Sequence, residues 1–256
     1  MSNLVINLEH QTTLVTGASR GIGAATTRAL LTAGANVVGS YASAPGELEA
    51  LQREYGVERL HVVQADLGEL GAAKALWQAA LAFKGGITGL VNNAGIMPDT
   101  PIDSDDDKWA ADWARMMAVN VQAVADLCRE AILHFKAGNG AGRIVTVASR
   151  AAFRGDGPDF MHYAASKGAV VSLMRTIARA YAREHIYGFL IAPGWVKTDM
   201  AAVAYEPGNE WMLDEIPTGE AAPPENVAHM IAFLLSGLCD HSTGATFDIN
   251  GASYVR

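Results

Sequence analysis

Short apolar runs alternate with longer amphipathic stretches along the whole chain. The runs are rich in Val, Ile and Leu, which is typical of strands that are covered on both faces of a sheet. Between them, apolar residues recur at intervals of three and four, which is typical of helices with one buried face. The predicted strands are residues 12–16, 36–41, 59–65, 87–92, 143–149, 186–192 and 245–250.

This alternation predicts an α/β fold, because parallel neighbouring strands need a crossover connection, usually a helix. We expect a Rossmann-type, doubly wound parallel sheet of about seven strands with helices on both faces. The chain of 256 residues is long enough to bury one large core. It contains no internal repeat or interdomain linker, so we expect a single domain over residues 1–256.

The composition and charge of the chain exclude several classes of protein and binding partner. Hydrophobic residues make up 50% of the chain and charged residues 18%, which excludes a disordered protein. The 19 basic and 27 acidic residues give a net charge of −8 without a basic cluster, so we expect no nucleic-acid or anionic-membrane partner. No apolar run approaches the roughly 18 residues of a membrane span, and the first basic residue is Arg20. We therefore expect a soluble, cytoplasmic protein.

Two segments depart from the regular pattern. Residues 97–108 combine prolines with a cluster of aspartates, which indicates a solvated loop that ends in a helix N-cap. We expect no metal site there, and Cys128 and Cys239 lack the spacing of metal ligands, so both are predicted to be reduced. Residues 200–224 are apolar but irregular, which is typical of a substrate-binding loop or lid.

The predicted lid starts just after the end of the sixth predicted strand. We expect Trp211, Met212 and Leu213 to exclude water from a neighbouring site. Hinges are predicted on either side, at Pro207, Gly208, Pro217 and Gly219. The alternative is a rigid, packed segment.

Tyr163 and Lys167 stand four residues apart in a helical apolar stripe. Side chains at i and i+4 share a helix face, so the phenol and the ammonium are predicted to be neighbours. A phenol needs about 4 kcal/mol of stabilisation to titrate near neutral pH, and a unit charge at about 4 Å supplies roughly that amount. The pair predicts acid-base chemistry. The alternative is a packed tyrosine beside a solvated lysine.

Two further polar residues stand out against apolar surroundings. Ser149 follows the apolar run at 143–148, so its hydroxyl is predicted to project from the carboxyl end of a buried strand. Asn120 lies inside an apolar helical stripe over residues 113–135, and a buried amide without partners costs about 1 to 3 kcal/mol. This amide is predicted either to bond neighbouring backbone or to hold a water molecule near Lys167.

Gly17, Gly21 and Gly23 separate the first predicted strand from a helix expected at residues 22–33. Glycines at such a turn let backbone N–H groups approach a pyrophosphate at the helix N-terminus. The Gly-x-x-x-Gly-x-Gly spacing, in this strand-to-helix context, predicts a dinucleotide site.

The end of the second predicted strand indicates which dinucleotide binds. NAD sites usually carry an acid there that holds the ribose hydroxyls, but residues 39–43 contain none. Arg20 offers a cation to a 2′-phosphate, and Ser40 or Ser43 offers a hydrogen bond. We therefore expect a preference for NADP(H), with NAD(H) as the second choice. In the alternative interpretation Arg20 is a solvated loop residue.

Over residues 11–254 the chain resembles the classical short-chain dehydrogenases/reductases, especially the branch that contains the 3-oxoacyl carrier-protein reductases. The matching motifs stand in one order along the chain: the glycine turn at 16–23, Asp66, residues 92–95, Asn120, Ser149, residues 163–167, Pro193-Gly194 with Thr198, Thr243-Gly244 and Asn250-Gly251.

The resemblance implies hydride transfer between a nicotinamide cofactor and the carbonyl or secondary alcohol of a small molecule. It implies that Tyr163 exchanges a proton with the substrate oxygen and that Ser149 hydrogen-bonds that oxygen. It further implies that Lys167 lowers the pKa of Tyr163 and binds the nicotinamide ribose, and that Asn120 holds a relay water.

The predicted cofactor-binding residues, beside Tyr163 and Lys167, follow the same motifs. Asp66 is expected to meet the adenine, Asn93 the adenosine ribose, and Thr198 the carboxamide or phosphates. The full set is Gly17, Ser19, Arg20, Gly21, Ile22, Gly23, Ser40, Tyr41, Ala65, Asp66, Asn93, Ala94, Gly95, Pro193, Gly194, Val196 and Thr198.

The resemblance also implies a homotetramer, in which two long helices cover neighbouring subunits with residues such as Ala118, Ala125 and Leu173. The chain departs from the family at the sixth strand, which begins Ile186-Tyr187-Gly188-Phe189. The acidic loop at 97–108 also poorly suits an acidic carrier protein as partner.

Two other functions fit the same motifs: an epimerase or dehydratase that uses the tyrosine and lysine, and a nucleotide-sensing regulatory protein.

The candidate substrate-pocket residues share an apolar or aromatic character or lie near the strand ends. They are Met97, Arg150, Phe153, Phe160, Trp195, Met200, Trp211 and Met212. The alternative is that these residues form ordinary loop and interface packing.

Overall fold

The computed structural model describes residues 5–138, 141–209 and 211–256, with the backbone alone at Met200 and Val203. Within these ranges, seven parallel strands form a single sheet in the order β3-β2-β1-β4-β5-β6-β7. The strands are β1 Thr12–Val15, β2 Asn36–Tyr41, β3 Leu60–Gln64, β4 Gly89–Asn92, β5 Gly142–Val147, β6 Ile186–Pro193 and β7 Thr246–Ile249. The predicted α/β fold and all seven predicted strands are confirmed, with ends that shift by one or two residues.

Helices cover both faces of the sheet. They are α1 Gly21–Thr32, α2 Leu48–Tyr55, α3 Ala72–Lys84, α4 Asp106–Met117, α5 Ala123–Ala137, α6 Ala151–Arg154, α7 Met161–Tyr181, α8 Trp211–Asp214 and α9 Pro224–Leu235. Successive strand residues point to opposite faces, so Leu14 packs with α3, α5 and α7, whereas Val15 packs with α1, α2 and α9. This two-sided burial explains the continuous apolar runs of the strands.

The strand order reverses beside β1, which pairs with β2 on one side and β4 on the other. The chain therefore leaves β1 and β4 toward opposite faces and opens a crevice at their carboxyl ends. Ligands of open α/β sheets bind at such a switch point. The glycine turn after β1 and Asn93 after β4 both lie at this crevice.

The predicted apolar stripe over residues 113–135 is not one regular helix. A π-helical turn, Ala118–Gln122, joins α4 to α5, and the Ala123 N–H donates to the Ala118 carbonyl. Asn120 lies inside this turn and is buried. Widened turns of this kind are frequent at functional sites, and apolar spacing does not reveal them.

The acidic loop caps a helix as predicted. Asp105 is the N-cap of α4, and its carboxylate accepts a hydrogen bond of 2.8 Å from the Lys108 N–H. Among the described residues, no group of His, Cys, Asp and Glu is arranged to hold a metal ion. Cys128 and Cys239 are both free, and burial raises the pKa of the Cys128 thiol to about 12.

Within the described ranges, we find no helix that is both long and apolar enough to cross a membrane.

The segment 200–224 is anchored to the domain at both ends. Ala201, Ala204 and Ile216 are buried, and Val196 forms an isolated bridge with Ala222. Trp211, by contrast, is 59% exposed, so it excludes no water from a site in this conformation. The expected exclusion of water by this side chain would require the segment to close, and it stays a prediction.

We expect residues 200–224 to exchange amide protons rapidly in the free protein and slowly when cofactor and substrate are bound. Gly208 and Gly219, with φ of 92° and 78°, interrupt the segment and are its expected hinges. Hydrogen-exchange mass spectrometry measures the change, and the anchored helix α9 is the internal control. High protection in the free protein that ligands leave unchanged would refute the lid. Glu210 and the side chain of Met200 lie outside the described residues.

Candidate active site

Helix α7 carries the predicted phenol and ammonium on its buried face. Tyr163 is 8% exposed and Lys167 is 6% exposed, so the interpretation of Lys167 as a solvated lysine is wrong. Val170, Met174 and Ile177 continue the buried stripe along the helix. The Lys167 Nζ lies 5.7 Å from the ring centre of Tyr163. Their helical spacing therefore produces the predicted neighbours.

The ammonium group of Lys167 forms a hydrogen bond with the sheet. Its Nζ donates a hydrogen bond of 3.0 Å to the carbonyl of Val147, the last residue of β5. Burial lowers the pKa of Lys167 to about 8, because the charged ammonium loses its hydration. A methyl group added at Gly95 would lie 3.3 Å from this Nζ and 3.4 Å from Asn120 Oδ1. Both polar atoms thus line one small space beside Gly95.

The phenol of Tyr163 is a weak acid in this conformation. Burial raises the pKa of Tyr163 to about 12, the Ser149 hydroxyl opposes that rise, and the charge of Asp156 adds to it. The resemblance implies that Lys167 lowers the pKa of Tyr163, so the shift in this structure has the opposite direction. The physical reason is that Lys167 faces the Val147 carbonyl, so desolvation of the phenol outweighs any help from the ammonium.

Ser149 lies two residues beyond the end of β5, and its hydroxyl accepts a hydrogen bond of 3.1 Å from the Ala151 N–H. This bond fixes the hydroxyl at the start of α6. Ser149, Tyr163 and Lys167 therefore meet at the carboxyl end of β5, as the sequence predicts.

The side-chain amide of Asn120 bonds to neighbouring backbone. Its Oδ1 accepts from the Ile96 N–H at 2.9 Å, and its Nδ2 donates to the Ile96 carbonyl at 3.0 Å and to Ser166 Oγ at 3.1 Å. Of the two predictions for this amide, the hydrogen bonds to neighbouring backbone are therefore present. Through these bonds Asn120 ties the π turn to both the loop after β4 and helix α7.

The glycine turn is built for close approach of backbone. A Cβ at Gly23 would lie 2.0 Å from the Gly17 carbonyl oxygen, and one at Gly17 would lie 2.9 Å from Ala94 Cα. Gly17 has φ 63° and Gly21 has φ 54°, which favours glycine at both positions. The glycines thus let the turn pack closely against the loop after β4 as it leads into α1.

Thr16 and Asn93 hold this turn to β4. Asn93 Nδ2 donates to the carbonyls of Thr16 and Gly17 at 2.9 and 3.0 Å. Thr16 Oγ1 accepts from the N–H groups of Asn93 and Ala94, both at 3.0 Å. Sequence reasoning gave Thr16 no separate role, although it begins the matched turn. Asn93 stabilises the turn through these hydrogen bonds. Its expected contact with the adenosine ribose stays a prediction.

Ser40 and Tyr41, which are expected near a 2′-phosphate, form the end of β2. Ser40 is buried, Tyr41 is half-buried, and the Ser40 carbonyl accepts from the Ala18 N–H at 2.7 Å. Arg20 is engaged elsewhere, because its Nη1 lies 3.0 Å from Asp199 Oδ2. Both side chains of that pair are about three-quarters exposed. Such exposed pairs contribute about 0 to 1 kcal/mol, so this ion pair holds the Arg20 side chain only weakly.

The other predicted cofactor residues line the carboxyl ends of the strands. Asp66 accepts from the Gly68 N–H at 2.9 Å and from Arg115 at 2.7 Å, and these bonds lower the pKa of its carboxyl. A Cβ at Gly194 would meet Asn250 Cβ at 2.8 Å, and Thr198 Oγ1 donates to the Val196 carbonyl at 3.3 Å. Ser19, Ile22, Ala65 and Pro193 belong to the same turns and strand ends.

The pairings within two polar clusters near the site had no signal in the sequence, although Arg150 itself was a candidate pocket residue. His162, buried next to Tyr163, lies 3.0 Å from Thr100 Oγ1, which donates to Asp112 at 3.0 Å. Arg150, which is buried, forms an ion pair with the partly exposed Glu215. Both clusters join residues that are far apart in the chain, so local patterning cannot reveal them.

The predicted substrate-pocket residues separate into groups. Met97 and Phe160 pack against the small cluster of buried residues that contains Tyr163. Phe153 packs against the core, and the guanidinium of Arg256 lies 4.1 Å from its ring centre. Trp195 lies beside Arg150. Trp211 faces solvent, and Met200 lies outside the described side chains.

Comparisons with known proteins agree with this geometry. The family model described as enoyl-(acyl carrier protein) reductase matches residues 17–252. The 3beta-hydroxysteroid dehydrogenase 1 of Eggerthella lenta is 35% identical over 96% of this chain and 94% of its own. The 2-dehydro-3-deoxy-D-gluconate 5-dehydrogenase of Escherichia coli is 31% identical over 98% of both chains.

A solved structure extends the agreement to the fold. The crystal structure of a 3-oxoacyl (acyl-carrier-protein) reductase from Agrobacterium tumefaciens C58 with NADP bound superposes with a TM-score of 0.85. It is 30% identical and covers 96% of this chain and 95% of its own. This protein is thus a member of the short-chain dehydrogenase/reductase family of oxidoreductases.

Proposed function

We propose that the protein transfers a hydride between NADP(H) and the carbonyl or secondary alcohol of a small molecule. The observation that carries this proposal is the meeting of Ser149, Tyr163 and Lys167, all at least nine-tenths buried, at the carboxyl end of β5. When bound, the nicotinamide supplies or accepts the hydride. The protein's own groups must then bind the substrate oxygen and move its proton.

The residues present fit such a cofactor. The glycine turn leads into the N-terminus of α1, where backbone N–H groups favour a pyrophosphate. Gly17 and Gly23 let the turn adopt this tight conformation, since a Cβ at either position would clash with neighbouring backbone. We assign the pyrophosphate to this turn, and the adenosine to the ends of β2 and β3 near Tyr41 and Asp66.

In reduction, Ser149 donates a hydrogen bond to the carbonyl oxygen and Tyr163 delivers the proton. With its pKa near 12, Tyr163 holds that proton at neutral pH, which is the state that a general acid needs. Lys167 then stabilises the phenolate that forms. The shared space beside Gly95 supports a water molecule between Lys167 and Asn120, through which the proton is replaced.

Cofactor choice follows from the charge at the end of β2. We expect Tyr41→Asp to shift the preference from NADPH toward NADH by about ten-fold or more, since like charges about 4 Å apart repel by about 1 to 4 kcal/mol. The neutral variant Tyr41→Asn is the matched control and should keep the NADPH preference. Dissociation constants for both cofactors measure the shift. Tight NADH binding with negligible NADPH binding in the unmodified protein would contradict the proposal.

We also propose a homotetramer that uses the surfaces of α4, α5 and α7. Ala118 in the π turn, Ala125 on α5 and Leu173 on α7 are half-buried, and Leu133 on α5 is 50% exposed. Light scattering at micromolar concentration should give a mass of about four chains. A mass near the 27.0 kDa of one chain would refute the tetramer.

A panel of carbonyl compounds tests the proposed reaction. It should contain neutral ketones, a steroid ketone, an oxo sugar acid and a 3-oxoacyl thioester, each followed by consumption of NADPH or NADH. We expect turnover with at least one of them, and none with Tyr163→Phe. A nucleotide-sensing protein would bind cofactor and turn over nothing. An epimerase or dehydratase would change the substrate without net consumption of cofactor.

A further inference from the structure

Arg150 directly follows Ser149 and carries a buried guanidinium. Its backbone N–H donates 3.0 Å to the Pro193 carbonyl, which places the residue between the ends of β5 and β6. Its side chain is 6% exposed, with Cζ 6.0 Å from the Trp195 ring centre. Nη2 donates to Glu215, which follows α8 in the segment 200–224. The side chain thus links the loop that follows Ser149 to the segment 200–224.

The other terminal nitrogen, Nη1, has no hydrogen-bond partner among the described residues, and it is buried. A buried donor without an acceptor costs about 1 to 3 kcal/mol, and more when the group is charged. Nη2 of the same guanidinium is satisfied by Glu215. One acceptor is therefore missing on the side of Nη1.

The charges around Arg150 are also unbalanced. Arg154 Nη1 lies 3.3 Å from the second oxygen of Glu215, so two guanidinium groups share one carboxylate. Partial burial of Glu215 favours its neutral form, but Arg150 and Arg154 outweigh this and hold the pKa of Glu215 below its usual value. Glu215 is therefore charged at neutral pH, and the three groups sum to one positive charge.

We propose that Arg150 recognises a carboxylate on the substrate through Nη1, so that the preferred substrates are oxo acids and hydroxy acids. One carboxylate supplies both the missing acceptor and the missing negative charge. The inference rests on the proposed function, since it concerns the substrate of the same site. Substrate reaches Nη1 when the segment that carries Glu215 opens.

A purely structural Arg150 would behave differently. If the guanidinium only latched residues 200–224 through Glu215, its loss would change the turnover of acids and neutral compounds to the same extent. Recognition of a carboxylate changes the ratio between them. That ratio is the quantity to measure.

The test compares oxo acids with their methyl esters: pyruvate, acetoacetate and levulinate, which place the ketone at increasing distance from the carboxylate. We expect the unmodified enzyme to prefer one acid over its ester by about ten- to hundred-fold in kcat/KM, the usual worth of a charged hydrogen bond. Arg150→Gln should bring this ratio close to one. Glu215→Gln should raise it, because the competing carboxylate is gone.

Arg175→Gln is the matched control. Arg175 is an exposed arginine on α7 whose guanidinium lies 5.9 Å from the Phe153 ring centre, and its loss should leave the ratio unchanged. An unmodified enzyme without acid preference, or an Arg150→Gln variant that keeps it, would overturn the proposal. A stronger preference for dihydroxyacetone phosphate over dihydroxyacetone would assign the site to phosphate and also overturn it.

A binding measurement separates this inference from the proposed reaction. Because Trp195 adjoins Arg150, saturable quenching of tryptophan fluorescence by levulinate, but not by its methyl ester, is expected without cofactor. Trp195→Phe identifies the signal, and Arg150→Gln should lose it. Quenching without turnover of any carbonyl would refute the reaction and support the site. Turnover of neutral ketones without acid preference or quenching would do the reverse. If Arg150→Gln does not fold, the double variant R150Q/E215Q, which leaves no unpaired glutamate, replaces it.

Discussion

Tyr163→Phe is expected to lower turnover by about 10² to 10⁴-fold, the usual contribution of a positioned general acid. The substitution deletes only the hydroxyl, so the ring still packs against Met116 and Ala151 and the fold is preserved. The affinity for NADP(H) should stay close to that of the unmodified protein. Steady-state kinetics and cofactor titration measure the two quantities separately.

Tyr181→Phe is the matched control, since it makes the same change on the same helix, at the last residue of α7. It should retain normal turnover. Near-normal turnover of Tyr163→Phe, with the control equally active, would mean that another group delivers the proton and would refute the mechanism.

Lys167→Met is expected to cause a loss of similar size and to change how activity depends on pH. The pKa of Lys167 is lowered to about 8, so the ammonium that stabilises the developing phenolate is lost as the pH rises through that value. The kcat/KM for reduction should therefore fall above about pH 8 in the unmodified enzyme. The variant should show low activity without this decline. A decline that persists in the variant would assign it to another group.

The same shift affects stability, with a sign that can be measured. From pH 8 to 10.5 the unfolded chain holds a proton at Lys167 that the folded chain has lost, so this residue makes the free energy of unfolding rise with pH. Below pH 8 both states are charged, and the full cost of burying the ammonium is present. That cost is on the order of 1.4 kcal/mol per pKa unit.

Lys167→Met should remove this rise. The difference in unfolding free energy between the variant and the unmodified protein should shrink as the pH is raised through the window. Lys74→Met, at an exposed position on α3, is the control and should leave the slope unchanged. A constant difference across the window would show that Lys167 titrates normally.

The sequence by itself determined the elements and their order. Short apolar runs predicted the strands, most clearly the central ones, since a strand buried on both faces leaves a pattern of a few consecutive apolar residues. The edge strands β3 and β7 are less buried and include polar residues. The stripe through Tyr163 and Lys167 placed both side chains on one helix face for the same reason. The glycine turn could also be predicted from the sequence, because its conformation depends on the residues inside it.

Only the tertiary structure decided how these groups act. The π turn at Ala118–Gln122 keeps the apolar spacing of a regular helix and so left no signal. The pairs Arg20 with Asp199 and Arg150 with Glu215 join residues that are 179 and 65 positions apart. The pKa values of Tyr163 and Lys167 moved in directions set by desolvation. Burial and long-range pairing arise when the sheet and its helices pack, which is why local patterns contain the residues of the site but not their charges and partners.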